Sequence, residues 1–377
     1  MLAKYVLIIS PGDDIHGLAV KDRIRQLYGG SVSCYIFDTA TYPLASGLSA
    51  RVDGQLLVPV LEIAAPLARN IGPRAGQLLK DRAKELVKTA IPLGPDTSVW
   101  LRRYRQSVLH PDVSEAEFRS FCAASLKETL LGAISACNVY NCFDYEQAAD
   151  RKLQQLLAAI QCGLSVPRTL ISSDPDQIQA FTREIHSEGK RVIYKHAASI
   201  GGFGMPTRIF DDEARARLDA VKYAPSIFQQ EILGIDLRIA VVGLRIFCCE
   251  WRGLFSGPRF VDIKLADNLK MYPRQMPAGV SVPLLNLQKR LKLDLGIYDF
   301  KLDSSGQLHF LEVNPSGQWL DMEIDGGQQI SESLARLVVE GPAKDIAPEH
   351  KPYLRADLDL LFRGLRGKAP SDWIQVV

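Results

Sequence analysis

The chain is short of almost every signal that would assign it quickly. Its seven cysteines, Cys34, Cys122, Cys137, Cys142, Cys162, Cys248 and Cys249, form no Cys-x-x-Cys pair and no zinc-like spacing with histidine. An odd count excludes a complete disulfide framework, so a reducing, cytoplasmic setting is the expectation. The histidines at 16, 110, 186, 196, 309 and 350 do not cluster, and no Ser/His/Asp or Cys/His pattern of nucleophilic catalysis stands out. No apolar run approaches the length of a membrane span. Tyr5-Val6-Leu7-Ile8-Ile9 is too short for a signal peptide, ends in a Pro-Gly turn and reads as a first strand. Charge of one sign is also missing: 45 Lys and Arg against 43 Asp and Glu leave a net +2, which excludes a general nucleic-acid or anionic-membrane surface. Any anion site must be local. The Pro11-Gly12-Asp13-Asp14 turn lacks the spacing of a dinucleotide fingerprint, and no Gly-Lys-Ser/Thr follows the glycines near 201, so there is no P-loop.

What is present is a globular composition, 47% apolar and 23% charged over 377 residues, enough for two or three domains. Short apolar runs alternate with longer amphipathic ones through the first part, predicting strands at Tyr5–Ile9, Val32–Phe37 and Gln55–Leu61 and helices at Ala19–Leu27 and Glu115–Ile134. The last carries Leu126, Leu130 and Leu131 on one stripe. Arg102, Arg103 and Arg105 after Trp100 are expected as a solvated strand end. A second unit begins near Asp144: a helix from Asp150 to Cys162, a strand at Val166–Ile171, a helix at Asp174–His186, and a strand at Arg191–Lys195 that stops in Ser199-Ile200-Gly201-Gly202-Phe203-Gly204. Glycines let backbone N–H groups approach an anion, and Lys195 supplies a point charge beside them, so the loop suits phosphate. Leu237–Val242 and Arg245–Trp251 form a hairpin through Gly243-Leu244. The tail from Tyr353 to Phe362 is amphipathic and suits packing on the body, docking a partner or supporting a dimer.

The stretch richest in chemistry runs from Tyr298-Asp299-Phe300-Lys301-Leu302 through Asp303-Ser304-Ser305-Gly306 to Gln307–Asn314 and Pro315-Ser316-Gly317-Gln318-Trp319. Two apolar runs around a Ser-Ser-Gly turn predict an antiparallel hairpin. A loop of two or four residues pairs Leu302 with Gln307 and sets Asp299 opposite Phe310. Glu312 and Asn314 then lie on the face that Phe310 and Asp299 share. Three oxygen ligands converge in that register, and hard oxygens suit Mg²⁺, with positions left for water and phosphate. An odd loop without a bulge flips the register and disperses them. His309 points away from the metal face.

The order of these segments carries a resemblance. Lys152, Lys195 with its glycine loop, a Gln-rich strand entering Gly234-Ile235-Asp236-Leu237-Arg238, then Asp299 and Glu312-Val313-Asn314 resemble the ATP-grasp fold. The resemblance implies an α/β (α+β) architecture: an N-terminal open α/β pre-ATP-grasp lobe over 1–141, a central subdomain over 142–228, a C-terminal subdomain with the metal site over 229–340, and a helical tail over 341–377. It implies ATP and Mg²⁺ as cofactors. Lys152, Lys195, Gly201, Gly202 and Gly204 would hold the phosphates, Gln229 and the backbone near Ile232 the adenine, and Asp236 the ribose. Arg238 would face the γ-phosphate and an acyl phosphate, and Asp299, Glu312 and Asn314 would bind Mg²⁺.

A narrower likeness, covering nearly the whole chain, is to the microviridin-type ligases that mature the peptides called graspetides. It rests on Phe310–Trp319, Val99–Arg103, Asp150–Leu156, Thr169–Pro175 and Val192–Lys195. It implies an ATP-dependent ligase that activates Asp or Glu side chains of a ribosomal precursor peptide as acyl phosphates and joins them to Thr/Ser hydroxyls or Lys amines, closing esters or amides. The implied partners are that peptide, leader and core, and a second copy of the chain in a homodimer, with no nucleic acid and no membrane. The leader is expected as a helix near the Leu237–Trp251 hairpin. The chain departs from the pattern at Asp262-Ile263-Lys264, where the family commonly has Asp-Trp-Arg, and at Met276-Pro277 and Asp321. Lys264 would be the second catalytic cation, although Arg and Lys are not interchangeable at a bidentate anion site. Two rivals stay open: a ligase of the same fold for a free amino acid or dipeptide, and a nucleotide-binding regulator without turnover.

Overall fold

The structure, a computed structural model, describes residues 2–52, 59–63, 88–196, 206–254, 263, 267–342 and 350–366. Gly201, Gly202, Gly204 and Lys264 lie outside the described residues, as does most of the expected Gln55–Leu61 strand. The chain divides into two compact units, one of Met1–Asp144, Val242–Arg245 and Gln329–Val377, the other of Tyr145–Val241 and Ile246–Gln328.

The first unit holds strands β1 (Tyr5–Ile9), β2 (Ser33–Phe37), β3 (Gly47–Ser49), β4 (Val60–Ile63), β5 (Thr89–Pro92), β6 (Thr97–Leu101) and β7 (Asn138–Tyr140). One sheet runs β2-β1-β6-β7 with every pair parallel. Its centre reads as unbroken apolar runs because both faces are covered, and Val6 to Ile9 and Val99 to Leu101 are buried. A smaller antiparallel sheet runs β3-β4-β5. The Ala116–Ile134 helix buries Leu130, with Leu126 and Leu131 packed at the edge of the same core.

The basic cluster after β6 is not a solvated strand end. Arg102 is 1% exposed and its Nε lies 3.3 Å from Asp14 Oδ2; Arg105 Nε donates to Asp38 Oδ1 at 3.0 Å. The turn after β1 thus serves the fold. Asp14 caps the Ile15–Tyr28 helix by accepting from the His16 backbone N–H at 3.1 Å, and accepts the Ser10 hydroxyl at 3.0 Å. Burial alone raises the Asp14 carboxyl, but Arg102, His16, Arg103 and Ser10 together bring it below its ordinary value. A carboxylate whose folded pKa is depressed adds stability above its unfolded pKa and loses it as pH falls through the folded one. Asp14→Asn is therefore expected to cost about 3 kcal/mol at neutral pH, by leaving Arg102 buried without its charge partner. It should also flatten the fall in stability below about pH 4. Thermal melts of both proteins across pH check this.

The tail packs on its own unit. Tyr353 is buried, its hydroxyl donates to Asp22 Oδ2 at 2.9 Å, and Arg23 lies over its ring at 4.4 Å.

The second unit contains β8 (Thr169–Ser172), β9 (Val192–His196), β10 (Arg208–Ile209), β11 (Ser226–Gln230), β12 (Gly234–Val242), β13 (Arg245–Leu254), β14 (Asp267–Pro273), β15 (Leu295–Asp303) and β16 (Leu308–Asn314). They build an antiparallel sheet β10-β9-β11-β8 and a five-stranded sheet β14-β13-β12-β15-β16. The Pro175–Ser187 helix starts where the sequence says it should: Asp174 accepts from the backbone N–H groups of Asp176 and Gln177, with proline in the first turn. Its buried Ile178 and Ile185 join Val192, Phe210 and Phe228 in one core. A second core unites the Lys152–Gln161 and Ser281–Arg290 helices with Leu237, Ile239, Tyr298, Phe300, Phe310 and Val313 of the larger sheet. Among the described residues, no helix is long and apolar enough to cross a membrane.

Candidate active site

The hairpin β15–β16 has a different register from the expected one. Leu302 pairs with Leu308, so the loop is odd, and Phe300 pairs with Phe310. An irregularity between Asp299 and Phe300 then leaves Leu311 without an opposite number and sets Asp299 against Glu312 and Ile297 against Asn314. This is a β-bulge, one extra residue in one strand. Its consequence is visible in burial: Leu308, Phe310 and Val313 are buried in the core, while Leu311, Glu312 and Asn314 are only partly covered. Glu312 and Asn314 therefore do not share the Phe310 face. The odd loop would have dispersed the three oxygens, and the bulge restores them. His309 bonds Asp303 at 2.9 Å and Ser165 at 3.3 Å, not the site carboxylates.

Asp299 opposite Glu312 is a like-charge cross-strand pair, destabilising unless something compensates. Here Asn314 Nδ2 donates to Asp299 Oδ2 at 3.4 Å and Glu312 Oε1 at 3.3 Å. Arg238 Nη1 donates to Asp299 Oδ1 at 2.8 Å, and Lys152 Nζ lies 3.1 Å from Glu312 Oε2. Lys152 opens the helix that ends at Gln161, where the helix dipole disfavours a cation by about 0.3–1 kcal/mol. Glu312 at 3.1 Å and Asp150 at 3.6 Å offset that cost. One turn on, Gln155, fully buried, accepts from Val313 N at 3.0 Å and donates to Val313 O at 2.8 Å. That side chain acts like a short extra strand and clamps β16 between Glu312 and Asn314. Sequence reasoning passed over Gln155; its signal was an amide on the apolar side of an amphipathic helix.

Across β12, the neighbour of β15, a second pair stands next to the first. Asp236 Oδ2 accepts from Lys301 Nζ at 2.6 Å, with both side chains less than a fifth exposed. Asp236 and Arg238, two apart, thus meet Lys301 and Asp299, two apart in the reverse direction, instead of pairing with each other. Lys301 was missed, though its place two residues from Asp299 put it on the same face. Gly234 starts β12 tightly against β15, where a Cβ would sit 2.0 Å from the Leu302 carbonyl oxygen.

A cleft of about 790 Å³, open mouth included, is lined by Lys195, Gln229, Ile232, Asp236, Asp299 and Glu312, together with Trp251, Ile263 and Lys301. Lys195 on β9 reaches it from one sheet and Asp236, Asp299 and Glu312 from the other. The Gln229 amide donates to Thr169 Oγ1 at 2.8 Å. Lys152, Arg238 and Asn314 meet the cleft through the carboxylates they hold. Trp251 is a further lining residue that the sequence did not single out.

The turn after β16 is fixed to the same group. Arg238 Nη2 and Nε donate to the Gln318 carbonyl at 3.0 and 3.3 Å, and the Gly317 N–H donates to Asn314 O at 3.1 Å. A Cβ on Gly317 would lie 2.5 Å from Cβ of Ile297. Gly317→Ala is expected to cost about 1–3 kcal/mol by overpacking and by moving the Gln318 carbonyl off Arg238, which denaturant unfolding measures.

Two carboxylates and one amide are hard donors in the number Mg²⁺ takes from protein, so the residues fit that ion. Among the described residues, no group of three or more His, Cys, Asp or Glu gathers.

Scanned against family models the chain matches none, and no curated protein is similar to it by sequence. Solved structures are similar. The macrocyclase MdnC of Microcystis aeruginosa MRC, crystallised with the precursor peptide MdnA, is 23% identical, with 89% of this chain and 99% of that one covered at a TM-score of 0.69. A RiPP-associated ATP-grasp ligase of Chryseobacterium gregarium, in complex with ADP, a leader and a core peptide, is 21% identical, with 90% and 98% covered at 0.71. The ATP-grasp ligase PsnB, complexed with a phosphomimetic variant of a minimal precursor, Mg and ADP, is 21% identical, with 89% and 97% covered at 0.63.

Proposed function

We propose that this chain, which has the fold of the ATP-grasp ligases, is an ATP-dependent ligase that closes rings in a ribosomally made precursor peptide. The observation that carries the reading is the cleft in which Lys195, Asp236, Asp299 and Glu312 meet under a backbone similar over about nine-tenths of its length to peptide macrocyclases. Lys152, Lys195 and the loop with Gly201, Gly202 and Gly204 hold the phosphates of ATP, Gln229 and the Ile232 backbone the adenine, and Asp236 the ribose. Asp299, Glu312 and Asn314 hold Mg²⁺. When bound, Mg²⁺ neutralises charge on the transferring phosphoryl group.

An Asp or Glu carboxylate of the peptide attacks the γ-phosphorus, forming a carboxyl O–P bond as the bond to ADP breaks. Arg238, supported by Lys264, faces the oxygens where charge accumulates. A Thr or Ser hydroxyl, or a Lys amine, then attacks the acyl carbon, phosphate leaves, and the nucleophile's proton passes to solvent. No enzyme nucleophile is needed, in keeping with the absence of a catalytic Ser or Cys pattern. Trp251 and Ile263 add apolar surface to the lining of the cleft, which favours attack by the peptide over attack by water.

Trapping tests the step. With ATP, Mg²⁺, hydroxylamine and a candidate precursor encoded beside the gene, peptide hydroxamate at Asp or Glu is the expected product. Hydroxamate of a free amino acid or dipeptide instead assigns the small-carboxylate ligase, and nucleotide binding without any hydroxamate assigns the regulator.

A further inference from the structure

The carboxylates proposed to take Mg²⁺ are already bonded to cations of the chain itself. Lys152 is 3.1 Å from Glu312 and Arg238 is 2.8 Å from Asp299, all four side chains being at most a fifth exposed. Asn314 turns its NH₂, not its oxygen, to both. An ion entering this group therefore meets donors on the oxygens it needs. To coordinate it, Glu312 and Asp299 must give up or share their partners, and the Asn314 amide must reverse. The partners are the side chains proposed to hold ATP phosphates.

We infer that Lys152 and Arg238 are internal counter-ions of the metal set, which metal and nucleotide phosphate together release, so that each strengthens the binding of the other. The inference rests on the proposed Mg²⁺–ATP site and adds to it an order and a coupling. Phosphate draws Lys152 and Arg238 from the carboxylates; the carboxylates, then a like-charge pair across β15 and β16 with these two cations withdrawn, attract the divalent ion. Linkage makes the effect reciprocal: the factor by which nucleotide tightens metal binding is the factor by which metal tightens nucleotide binding. A metal ion without nucleotide gains little, because it must displace two cations at short range that then have no phosphate to meet. Lys301 is the internal contrast. It lines the same cleft, but its 2.6 Å partner is Asp236, outside the metal set. Its ammonium adds the same formal charge without occupying a metal oxygen.

The test reads Mn²⁺ binding to the full chain, by the loss of free-ion electron paramagnetic resonance signal beyond that in a matched protein-free sample, with and without a non-hydrolysable ATP analogue. Wild type is expected to bind Mn²⁺ weakly alone and at least about tenfold more tightly with the analogue. Lys152→Met is expected to bind Mn²⁺ alone about tenfold more tightly than wild type, from loss of one unit charge at contact distance, and to show a smaller gain from nucleotide. Arg238→Met should act in the same direction, and Lys301→Met should stay within about twofold of wild type. Unchanged or weaker Mn²⁺ binding in Lys152→Met overturns the inference, because a lysine that merely positions Glu312 would give that result. A gain in Lys301→Met as large as in Lys152→Met overturns it too, since net charge alone would then explain both. No Mn²⁺ binding by wild type even with the analogue overturns the inference together with the metal assignment. None of these readouts involves a peptide, so they leave the choice of substrate to the trapping experiment.

Discussion

Glu312→Gln is expected to lower peptide-dependent ATP turnover at least about a thousandfold while leaving the melting temperature unchanged or slightly raised. The two signs come from one contact. Glu312 stands opposite Asp299, and glutamine keeps its shape while removing a like charge from a cross-strand pair, which relieves repulsion. Lys152 loses the nearer of its two carboxylates, but it keeps Asp150 at 3.6 Å and, at 20% exposure, access to water. The same neutralisation removes one of two carboxylates proposed to hold Mg²⁺, and charge stabilisation of phosphoryl transfer depends on that ion. A residue serving only the fold would behave in the opposite way, destabilising the protein when changed. An ADP-release assay beside a thermal melt distinguishes the two; turnover within tenfold of wild type removes Glu312 from the metal set.

Arg238→Met should damage both properties. It leaves Asp299 without its 2.8 Å partner and the Gln318 carbonyl without two donors, a loss of about 2–4 kcal/mol at a site only 7% exposed. Turnover should fall by a further ~10²–10³ for loss of the charge proposed to face the phosphoryl group. Arg238→Lys separates the parts: an ammonium can still meet Asp299, but it lacks the planar fork that reaches Asp299 and Gln318 O at once. It should recover about half the stability and little of the turnover. Urea unfolding and single-turnover kinetics on the three proteins measure the split.

Much of the architecture could be read in advance where periodicity is local. β1 falls at Tyr5–Ile9 as expected, and the Pro175–Ser187 helix begins at its Asp174 cap, because strand alternation, apolar stripes and caps are properties of neighbouring residues. The hairpin register was not legible. Its odd loop and the bulge at Leu311 each move the pairing one residue along β16 in the same direction, and two such steps restore the face and set Asp299 against Glu312. No local rule places a bulge; it lets Phe310 and Val313, three apart, enter the same core while Gln155 bonds the Val313 backbone. The arginines after β6 were misjudged for a related reason. Arg102 follows Leu101 at the end of a strand and opens a run with Arg103 and Arg105, and it is the parallel pairing of β1 with β6 that brings Asp14 to it. Asp236 and Lys301 illustrate the same limit: each was visible as a charge on a strand, and the pair exists only because β12 lies beside β15.

The most direct test of the account is the mass of the precursor peptide after incubation with this protein, ATP and Mg²⁺. The account predicts loss of one water for each ring, with one ADP formed per ring, and neither change with Glu312→Gln. Phosphate release with no change in the peptide's mass would contradict it.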